Sequence, residues 1–300
     1  MHQNQNKNTR HEPVLLSEVL QCLKPKEGES YLDLTAGYGG HADKVLDMTG
    51  SLTTSVLVDR DENAAKYLQE KYGQDADIRH EDFLSASREL LEQNRQFDLI
   101  LADLGVSSPH LNEAERGFAI NQTGPLDMRM DNSQELTADI VVNTYKEEEL
   151  AEILKIYGEE PKSRQIASAI IKARPIKTTT ELANVVKTVW PGHSRVHPAT
   201  RTFQAIRIVV NDELEQLKQA LPLWIQLLNP GGRLAVISFH SLEDRIVKQA
   251  LADASGDRFD AELILLTKRP IMAQPNELVF NPRARSAKLR VAAKIKKKGN

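Results

Sequence analysis

Asp33-Leu-Thr-Ala-Gly-Tyr-Gly-Gly-His41 joins a predicted strand to a predicted helix through a glycine-rich turn, and the prediction of an α/β fold starts from this segment. Residues 30–34 favour a short strand, and residues 41–48 have apolar positions at helical spacing. Glycines in such a turn permit positive φ angles and the close approach of a ligand, and the helix that follows offers free N–H groups. The turn is therefore a candidate ligand site.

Strand and helix patterns alternate after this turn. Such alternation predicts βαβ units and a parallel sheet with helices on both faces. Between about residues 109 and 198 the alternation stops, and only helical patterns and loops occur. The predicted strands cover residues 30–34, 55–58, 76–80, 97–101, 233–239, 261–267 and 288–293.

The simplest architecture is one α/β domain that a helical segment interrupts after the fourth strand. We predict a discontinuous α/β domain over residues 1–108 and 208–300, with a helical insertion over residues 109–207. Residues 203–221 carry apolar side chains at helical spacing and predict one continuous helical face.

Composition excludes several classes of protein. The 300 residues are 40% hydrophobic and 27% charged, as in ordinary soluble proteins, and no apolar run approaches the roughly 18 residues of a membrane span. The polar N-terminus is not a signal peptide. A single cysteine, Cys22, excludes an intrachain disulfide and disfavours a cysteine-based zinc site. We expect a cytoplasmic protein and predict no metal ligands.

The glycine turn has three interpretations. It fits the loose dinucleotide pattern G-x-G-x-x-(G/A), and glycines also serve tight turns without any ligand. Asp59 ends the second predicted strand 20 residues after Gly39, the distance at which an acid meets a ribose diol. The acidic residue Asp33 ahead of the glycines favours an adenosyl ligand over a dinucleotide.

A second candidate site is the loop Asp103-Leu-Gly-Val-Ser-Ser-Pro-His110, which leaves the fourth strand. Ligands collect at the carboxyl ends of strands in open α/β sheets, so this polar loop is a candidate reaction site. The alternative is structural, because Ser107 and Ser108 also suit the cap of a helix that begins at Pro109.

With this loop, the chain resembles the ribosomal RNA small subunit methyltransferase H family, also called MraW. The matching stretches follow one another along nearly the whole chain, and their combination is highly specific. They are residues 11–16, 35–41, 58–61, 103–109, 115–118, 124–130, 157–160, 197–207, 230–234, 237–248 and 281–286.

The resemblance implies a Rossmann-like, S-adenosylmethionine-dependent enzyme with an inserted helical domain. Members of the family methylate the exocyclic N4 of a cytidine in the decoding region of 16S ribosomal RNA, so the small ribosomal subunit is the implied partner. At position 110 members often have glutamine instead of histidine. The implied cofactor-binding residues are Gly37, Gly39, Gly40, His41, Asp59, Phe83, Asp103 and His110.

Methylation of an amine needs the nucleophile to be aligned with the methyl group. Acceptors for the amine hydrogens would help to localise the nitrogen lone pair, and by analogy Asp103, Ser107 and Ser108 are the candidates. The chain lacks the Asp/Asn/Ser-Pro-Pro-aromatic loop of related amino-methyltransferases. Cys22 is poorly placed for the nucleophilic attack that methylation at cytosine C5 requires, so the exocyclic nitrogen is favoured.

His240 is the fourth candidate catalytic residue. It follows the fifth strand, and it could orient the base or a phosphate. The structural alternative places an N-cap at Ser241, with Glu243 and Asp244 in the first turn of the helix. Elsewhere, Phe118 is a candidate for stacking on a flipped-out base, although packing within the insertion is the simpler expectation.

Taken alone, the net charge of −3 counts against a nucleic-acid partner, but it is an average that hides two basic segments. Residues 281–300 carry eight basic side chains and no acid, and residues 161–210 carry nine basic side chains against Glu181 alone. Both segments are candidates for binding RNA phosphates, and solvated surface is the plain alternative.

Two other functions stay open. The chain could be a non-catalytic RNA-binding ribosome assembly factor that retains an adenosyl pocket. It could also be an NAD-dependent oxidoreductase, which the lack of a recognisable proton-relay motif disfavours.

Overall fold

The structure is a computed structural model, and it describes residues 13–106, 111–190, 192, 196–256 and 260–295. The chain divides into two compact units. The α/β unit comprises residues 1–59, 63–104 and 220–300, and the helical unit comprises residues 60–62 and 105–219. The predicted domain limits, at 108/109 and 207/208, stay a prediction.

Seven strands form one sheet in the order β3-β2-β1-β4-β5-β7-β6. The first five strands in this order, β3, β2, β1, β4 and β5, are parallel to their neighbours. This arrangement confirms the predicted α/β class. The strands are β1 (Tyr31–Asp33), β2 (Val56–Asp59), β3 (Asp77–His80), β4 (Phe97–Asp103), β5 (Leu228–Ser238), β6 (Leu263–Leu265) and β7 (Lys288–Lys294).

The predicted parallel sheet carries an antiparallel addition at one edge. Strand β7 lies between β5 and β6 and is antiparallel to both. A parallel return requires a crossover of a dozen or more residues, usually a long helix, whereas an antiparallel strand does not. The segment between β6 and β7 holds only one short helix, Pro275–Phe280, and a 3₁₀ turn, Pro282–Ser286.

The helices complete the architecture. They are α1 (Leu16–Leu23), α2 (Gly40–Thr49), α3 (Glu62–Tyr72), α4 (Phe83–Glu92), α5 (Ala138–Thr144), α6 (Glu147–Ile156), α7 (Ser163–Ala173), α8 (Thr179–Val189), α9 (Thr200–Asn211), α10 (Glu213–Gln226), α11 (Ser241–Asp253) and α12 (Pro275–Phe280). No described helix has both the length and the apolar character needed to cross a membrane.

The core of the α/β unit explains why β1, β4 and β5 are central. Their residues are buried on both faces of the sheet, as near-continuous apolar runs predict. One buried cluster joins α1 and α2 to the sheet through side chains that include Leu23, Val45, Leu57, Leu101 and Ile237. This packing fixes the carboxyl ends of β1, β2 and β4, where the polar residues of the candidate site stand.

Two sequence predictions of element limits are wrong. The predicted single helix over 203–221 is broken at Asp212, which has the left-handed φ of 49° and separates α9 from α10. The turn predicted at residues 229–232 instead lies within β5, where the pairing with β4 shifts register between Phe97 and Leu99. The segment 229–232 gives β5 extra residues relative to β4, and it makes the pairing of the two strands irregular at this point.

The helical unit has its own core, built by the apolar faces of α5 to α9. Phe118, Met128 and Met130 belong to this core and are almost fully buried. The side chain of Asn211 anchors the 124–130 segment, because it accepts from the Met130 N–H at 2.8 Å and donates to the Met128 carbonyl at 2.8 Å. The hypothesis that Phe118 stacks on a base is therefore wrong, since its ring packs in the core.

Candidate active site

The glycine turn between β1 and α2 has the backbone that only glycine adopts readily. Gly37 and Gly39 have φ angles of 55° and 79°. Gly39 is the N-cap of α2, and no side chain caps this end of the helix. At Gly40, an added Cβ would lie 2.8 Å from the Pro13 ring, so a larger residue could not be accommodated without movement. The turn thus leaves the amino end of α2 without a side-chain cap, where the first backbone N–H groups of a helix have no partner within the helix.

Asp59 stands at the end of β2, beside the turn. Its Oδ2 accepts a hydrogen bond from the Gly37 N–H at 2.7 Å. The bond links the carboxyl ends of β1 and β2, and it holds the glycine turn in its conformation. The predicted ribose-binding residue and the predicted glycine loop are therefore adjacent.

Asp33 ends β1 as a buried carboxyl. Its two oxygens accept from the Tyr31 hydroxyl at 2.7 Å and from the Thr35 N–H at 3.2 Å. Burial raises the pKa of Asp33 to about 7, although both hydrogen bonds favour the ionised form. Asp33 is poised between its two protonation states near neutral pH.

Asp103 ends the neighbouring strand β4 and forms a second carboxyl at this edge. Its N–H donates to the Thr35 Oγ1 at 2.6 Å, which ties the β4 end to the glycine turn. Its Oδ1 is shielded from solvent and has no hydrogen-bond partner among the described residues. Burial raises the pKa of Asp103 well above its usual range, and the nearby carboxyls of Asp33 and Glu243 raise it further.

His41, in the first turn of α2, faces Asp103. Its Nδ1 lies 3.7 Å from the Asp103 Oδ2, and its Nε2 lies 3.0 Å from the Val14 carbonyl oxygen. Burial lowers the pKa of His41 to about 4, so the ring is neutral at neutral pH. The contact with Asp103 is therefore not an ion pair under those conditions.

Phe83 begins α4, directly after β3. Asp82 caps this helix by accepting from the N–H groups of Leu84 and Ser85. The half-buried ring of Phe83 meets Trp224 edge to face, with ring centroids 5.5 Å apart. The ring is thus fixed near the carboxyl end of β3, at the same edge of the sheet as the other candidate residues.

His240 follows β5 and caps α11. Its Nδ1 accepts from the Glu243 N–H at 3.4 Å, and the Glu243 Oε2 accepts from the His240 N–H at 3.2 Å. The predicted N-cap at Ser241 is wrong, because the helix begins with Ser241 and the preceding histidine supplies the cap. The catalytic role of His240 stays a prediction.

Three predicted site residues, Ser107, Ser108 and His110, lie outside the described residues. The remaining ones gather at the carboxyl ends of β1 to β5, as the topology of an open sheet requires.

Sequence reasoning missed three contributors to the site: Tyr31, Thr35 and Glu243. Tyr31 and Asp33 are two apart in a strand and so share one face, a signal that the sequence contains. Thr35 accepts from the Asp103 N–H, a contact between segments that are distant in sequence. Glu243 was interpreted only as a residue of the first helical turn, yet its carboxyl lies near enough to raise the pKa of Asp103.

Asp33 and Asp103 have no cationic partner among the residues that the structure describes. The described contacts of Asp33 and Asp103 include no lysine or arginine. Buried acids without a counterion favour a ligand that carries positive charge. S-adenosylmethionine carries two positively charged groups, a sulfonium and an ammonium. At Gly37 there is open space, because a Cβ added there would meet no described atom within 4 Å. The donor set therefore fits this cofactor.

The helical unit offers a different surface. Five cations are exposed and have no ion pair with any described acid, namely Arg164, Lys172, Lys177, Lys187 and Arg201. Arg174 and Arg207, also in the 161–210 segment, make contacts within the helical unit, and Arg195 lies outside the described residues. Arg174 donates to the carbonyls of Val142 and Tyr145, and Arg207 makes two 2.8 Å bonds to Glu213.

Three of the eight cations of the C-terminal basic segment are paired with acids within the α/β unit. Lys288 and Arg290 both contact Asp244, at 3.1 and 2.7 Å, and Lys294 contacts Glu262 at 2.8 Å. Lysines 296 to 298 lie outside the described residues.

Comparison with known proteins places this arrangement in a family. A model described as the MraW methylase family matches residues 8–295. The chain is 42% identical over 306 aligned positions to "Ribosomal RNA small subunit methyltransferase H" of Halothermothrix orenii, covering 95% of this chain and 98% of that protein. It is 47% identical over 288 positions to the protein of the same name from Nostoc punctiforme, covering 95% and 94%.

Among solved structures, one similar chain is the N-methyltransferase NodS from Bradyrhizobium japonicum WM9 in complex with S-adenosyl-L-homocysteine. It shares 10% sequence identity and a TM-score of 0.43, and the match covers 93% of this chain and 85% of that one. A likeness at that level carries no weight for the site.

Proposed function

This chain belongs to the MraW methylase family, as its motifs predict, and from that premise we propose that it methylates ribosomal RNA of the small subunit. The proposed reaction transfers a methyl group from S-adenosylmethionine to the exocyclic N4 of a cytidine in the decoding region of 16S ribosomal RNA. For such a substrate, the cytoplasm is the expected location.

The observation that carries the proposal is the carboxyl pair beside the glycine turn, formed by the buried Asp33 and the half-buried Asp103. These two carboxyls stand at adjacent strand ends with no lysine or arginine contact among the described residues, and they favour a positively charged ligand. A dinucleotide presents phosphates at this position, and buried carboxylates would repel them. The carboxyl pair therefore supports an adenosyl cofactor with a sulfonium over NAD.

In this proposal the cofactor supplies a methyl group that is already activated on a sulfonium. Gly37, Gly39, Gly40 and His41 hold it through the turn, Asp59 through the ribose hydroxyls and Phe83 through an apolar ring face. Asp103 is proposed to contact the cofactor and also to accept a hydrogen from the nucleophilic amine. His110 is proposed as a further contact by resemblance to the family.

The target amine is a weak nucleophile, because its lone pair is delocalised into the cytosine ring. Asp103 would accept an amine hydrogen and localise the lone pair as the new bond forms. Ser107 and Ser108 are proposed as further acceptors in the same loop, and His240 is proposed to orient the base or a phosphate. A base in a duplex is out of reach, so the target cytidine must be unpaired or flipped out.

The helical unit is proposed to bind RNA. Its five exposed cations, unlike the paired C-terminal ones, keep their charge for phosphates. The corresponding domain proposal assigns RNA recognition to residues 109–207.

The function is tested with methyl-labelled S-adenosylmethionine and small ribosomal subunits that lack the modification. We expect label in 16S ribosomal RNA, recovered as N4-methylcytidine after digestion to nucleosides. Binding of the cofactor without transfer would instead favour the non-catalytic assembly factor. No binding of the cofactor would contradict both proposals and reopen the oxidoreductase.

A further inference from the structure

The hydrogen-bonding state of His41 is set by its neighbour Val14. The Nε2 lies 3.0 Å from the Val14 carbonyl oxygen, and a carbonyl can only accept. The hydrogen of the neutral ring must therefore be on Nε2, which leaves Nδ1 with a lone pair. Burial keeps the ring neutral by lowering the pKa of His41 to about 4.

This bare Nδ1 is directed at a carboxyl oxygen. The distance from His41 Nδ1 to Asp103 Oδ2 is 3.7 Å, longer than a hydrogen bond. While Asp103 is ionised, no hydrogen stands between the two atoms. A bond forms only when Asp103 carries a proton, and catalytic contacts of this kind are often long before the substrate binds.

Asp103 is also the carboxyl of this group whose oxygens are least engaged by hydrogen bonds among the described residues. Both oxygens of Asp33 already accept hydrogen bonds, from Tyr31 and Thr35. The Glu243 Oε2 accepts from the N–H groups of Phe239 and His240. The Oδ1 of Asp103 is shielded and has no partner among the described residues, and the facing charges of Asp33 and Glu243 favour the acid form of Asp103.

Methyl transfer to an amine releases one proton. As the new N–C bond forms, the S–C bond breaks and its electron pair stays on sulfur, so the amine nitrogen must lose a hydrogen as H⁺. We infer that His41 is a positioning residue, whose bare Nδ1 accepts a hydrogen bond from Asp103 once this carboxyl has taken the proton of the amine. The inference rests on the proposed function above.

Two substitutions separate this role from a merely structural one. His41→Gln places an amide near the Nε2 position and can retain the bond to Val14, but it has no acceptor at Nδ1. His41→Asn places an oxygen near Nδ1 and gives up the bond to Val14. We expect His41→Gln to slow single-turnover methyl transfer about tenfold when RNA and S-adenosylmethionine are both saturating, so that a change in cofactor binding does not enter the rate.

The pH profile gives a sharper readout. Because the Nδ1 contact stabilises the acid form of Asp103, its loss lowers the pKa of Asp103. The acidic limb of the rate profile should therefore move to lower pH by about one unit in His41→Gln, and His41→Asn should retain the wild-type limb. Equal slowing in both variants with unmoved pH limbs would overturn the inference and leave His41 a packing residue.

A spectroscopic test is independent of activity. In the free protein with ¹⁵N-labelled histidine, we expect the His41 Nε2 to be protonated and the Nδ1 to be bare near neutral pH. Asp103→Asn supplies a permanent N–H donor in place of the acid, so it should shift the Nδ1 resonance toward a hydrogen-bonded value. A protonated Nδ1, or an Nδ1 that does not respond to Asp103→Asn, would overturn the inference. If wild-type protein transfers no label, the proposed function fails, and these spectra still report on the contact.

Discussion

Two regions of the molecule differ in the environment of their charged groups. These regions are the carboxyl ends of β1 and β4 and the exposed face of the helical unit. At the strand ends, burial raises the pKa of both Asp33 and Asp103, and neighbouring carboxyls raise each of them further. On the helical unit, cations such as Arg164 and Lys172 are solvated and have no ion pair with a described acid. The first arrangement costs stability and suits chemistry, and the second costs little and suits binding of a polyanion. The difference predicts that substitutions in one region change the rate and those in the other change RNA affinity.

The largest effect is expected at Asp103. Asp103→Asn keeps the shape of the side chain but cannot accept the amine proton, so single-turnover methyl transfer should fall by about 10² to 10⁴. The affinity for RNA, measured by filter binding, should change less than about threefold. A comparable loss of RNA affinity would contradict the assignment of the chemistry and the RNA binding to different regions.

The next effect concerns the pH dependence of stability. The pKa of Asp33 is raised from 3.8 to about 7 in the folded protein, so the folded state binds more protons than the unfolded chain in that interval. The contribution of Asp33 is therefore fully present below about pH 4 and is lost as the pH rises through 7.

Asp33→Asn should remove this term, which amounts to about 1.4 kcal/mol for each unit of pKa shift. Urea unfolding between pH 5 and 8 measures the free energy of unfolding, and the variant should show a flatter pH dependence than the wild type. The same slope in both proteins would mean that Asp33 is not a strained carboxyl.

Charge reversal on the helical unit should act on binding alone. Arg164→Glu with Lys172→Glu should weaken RNA binding by on the order of tenfold and reduce the salt slope by about 1.5, because two phosphate contacts are lost. Cofactor affinity should be unchanged. The matched control is Lys24→Glu with Lys26→Glu, which reverses the same charge at exposed residues near the amino end of β1. An unchanged salt slope in the first variant, or an equal loss in the control, would contradict the assignment.

His240 belongs to the strand-end region but also caps a helix. His240→Ala should lower stability by about 1 kcal/mol, because the α11 cap is lost, and it should lower turnover without changing cofactor affinity. His240→Asn restores a capping side chain and serves as the control. If His240→Asn also restores turnover, the histidine is a cap and has no functional role.

The smallest effect is expected at a paired cation of the C-terminal segment. Lys294 contacts Glu262 at 2.8 Å, so its charge is neutralised within the α/β unit. Lys294→Gln should change RNA affinity less than about twofold and stability by about 1 kcal/mol at most. A loss as large as that of the Arg164 and Lys172 double variant would place an RNA contact on this strand.

The sequence predicts much of this arrangement and fails for identifiable reasons. The glycine turn, Asp59 and Asp103 could be placed at one edge because parallel strands end together. The antiparallel β7 was missed, since a strand pattern carries no direction. The pairing of Lys288 and Arg290 with Asp244 was missed because the partner is more than 40 residues away in sequence. The His240 cap was missed because serine is the commoner capping residue.

The most direct test compares two variants in one assay: single-turnover methyl transfer to unmodified small subunits at increasing RNA concentration. Asp103→Asn should lower the rate at saturating RNA and leave the half-saturating concentration unchanged. Arg164→Glu with Lys172→Glu should raise the half-saturating concentration and reach the wild-type rate at saturation. If Asp103→Asn reaches the wild-type rate, or the double charge reversal lowers the saturating rate instead, the assignment of chemistry and RNA binding to separate regions is contradicted.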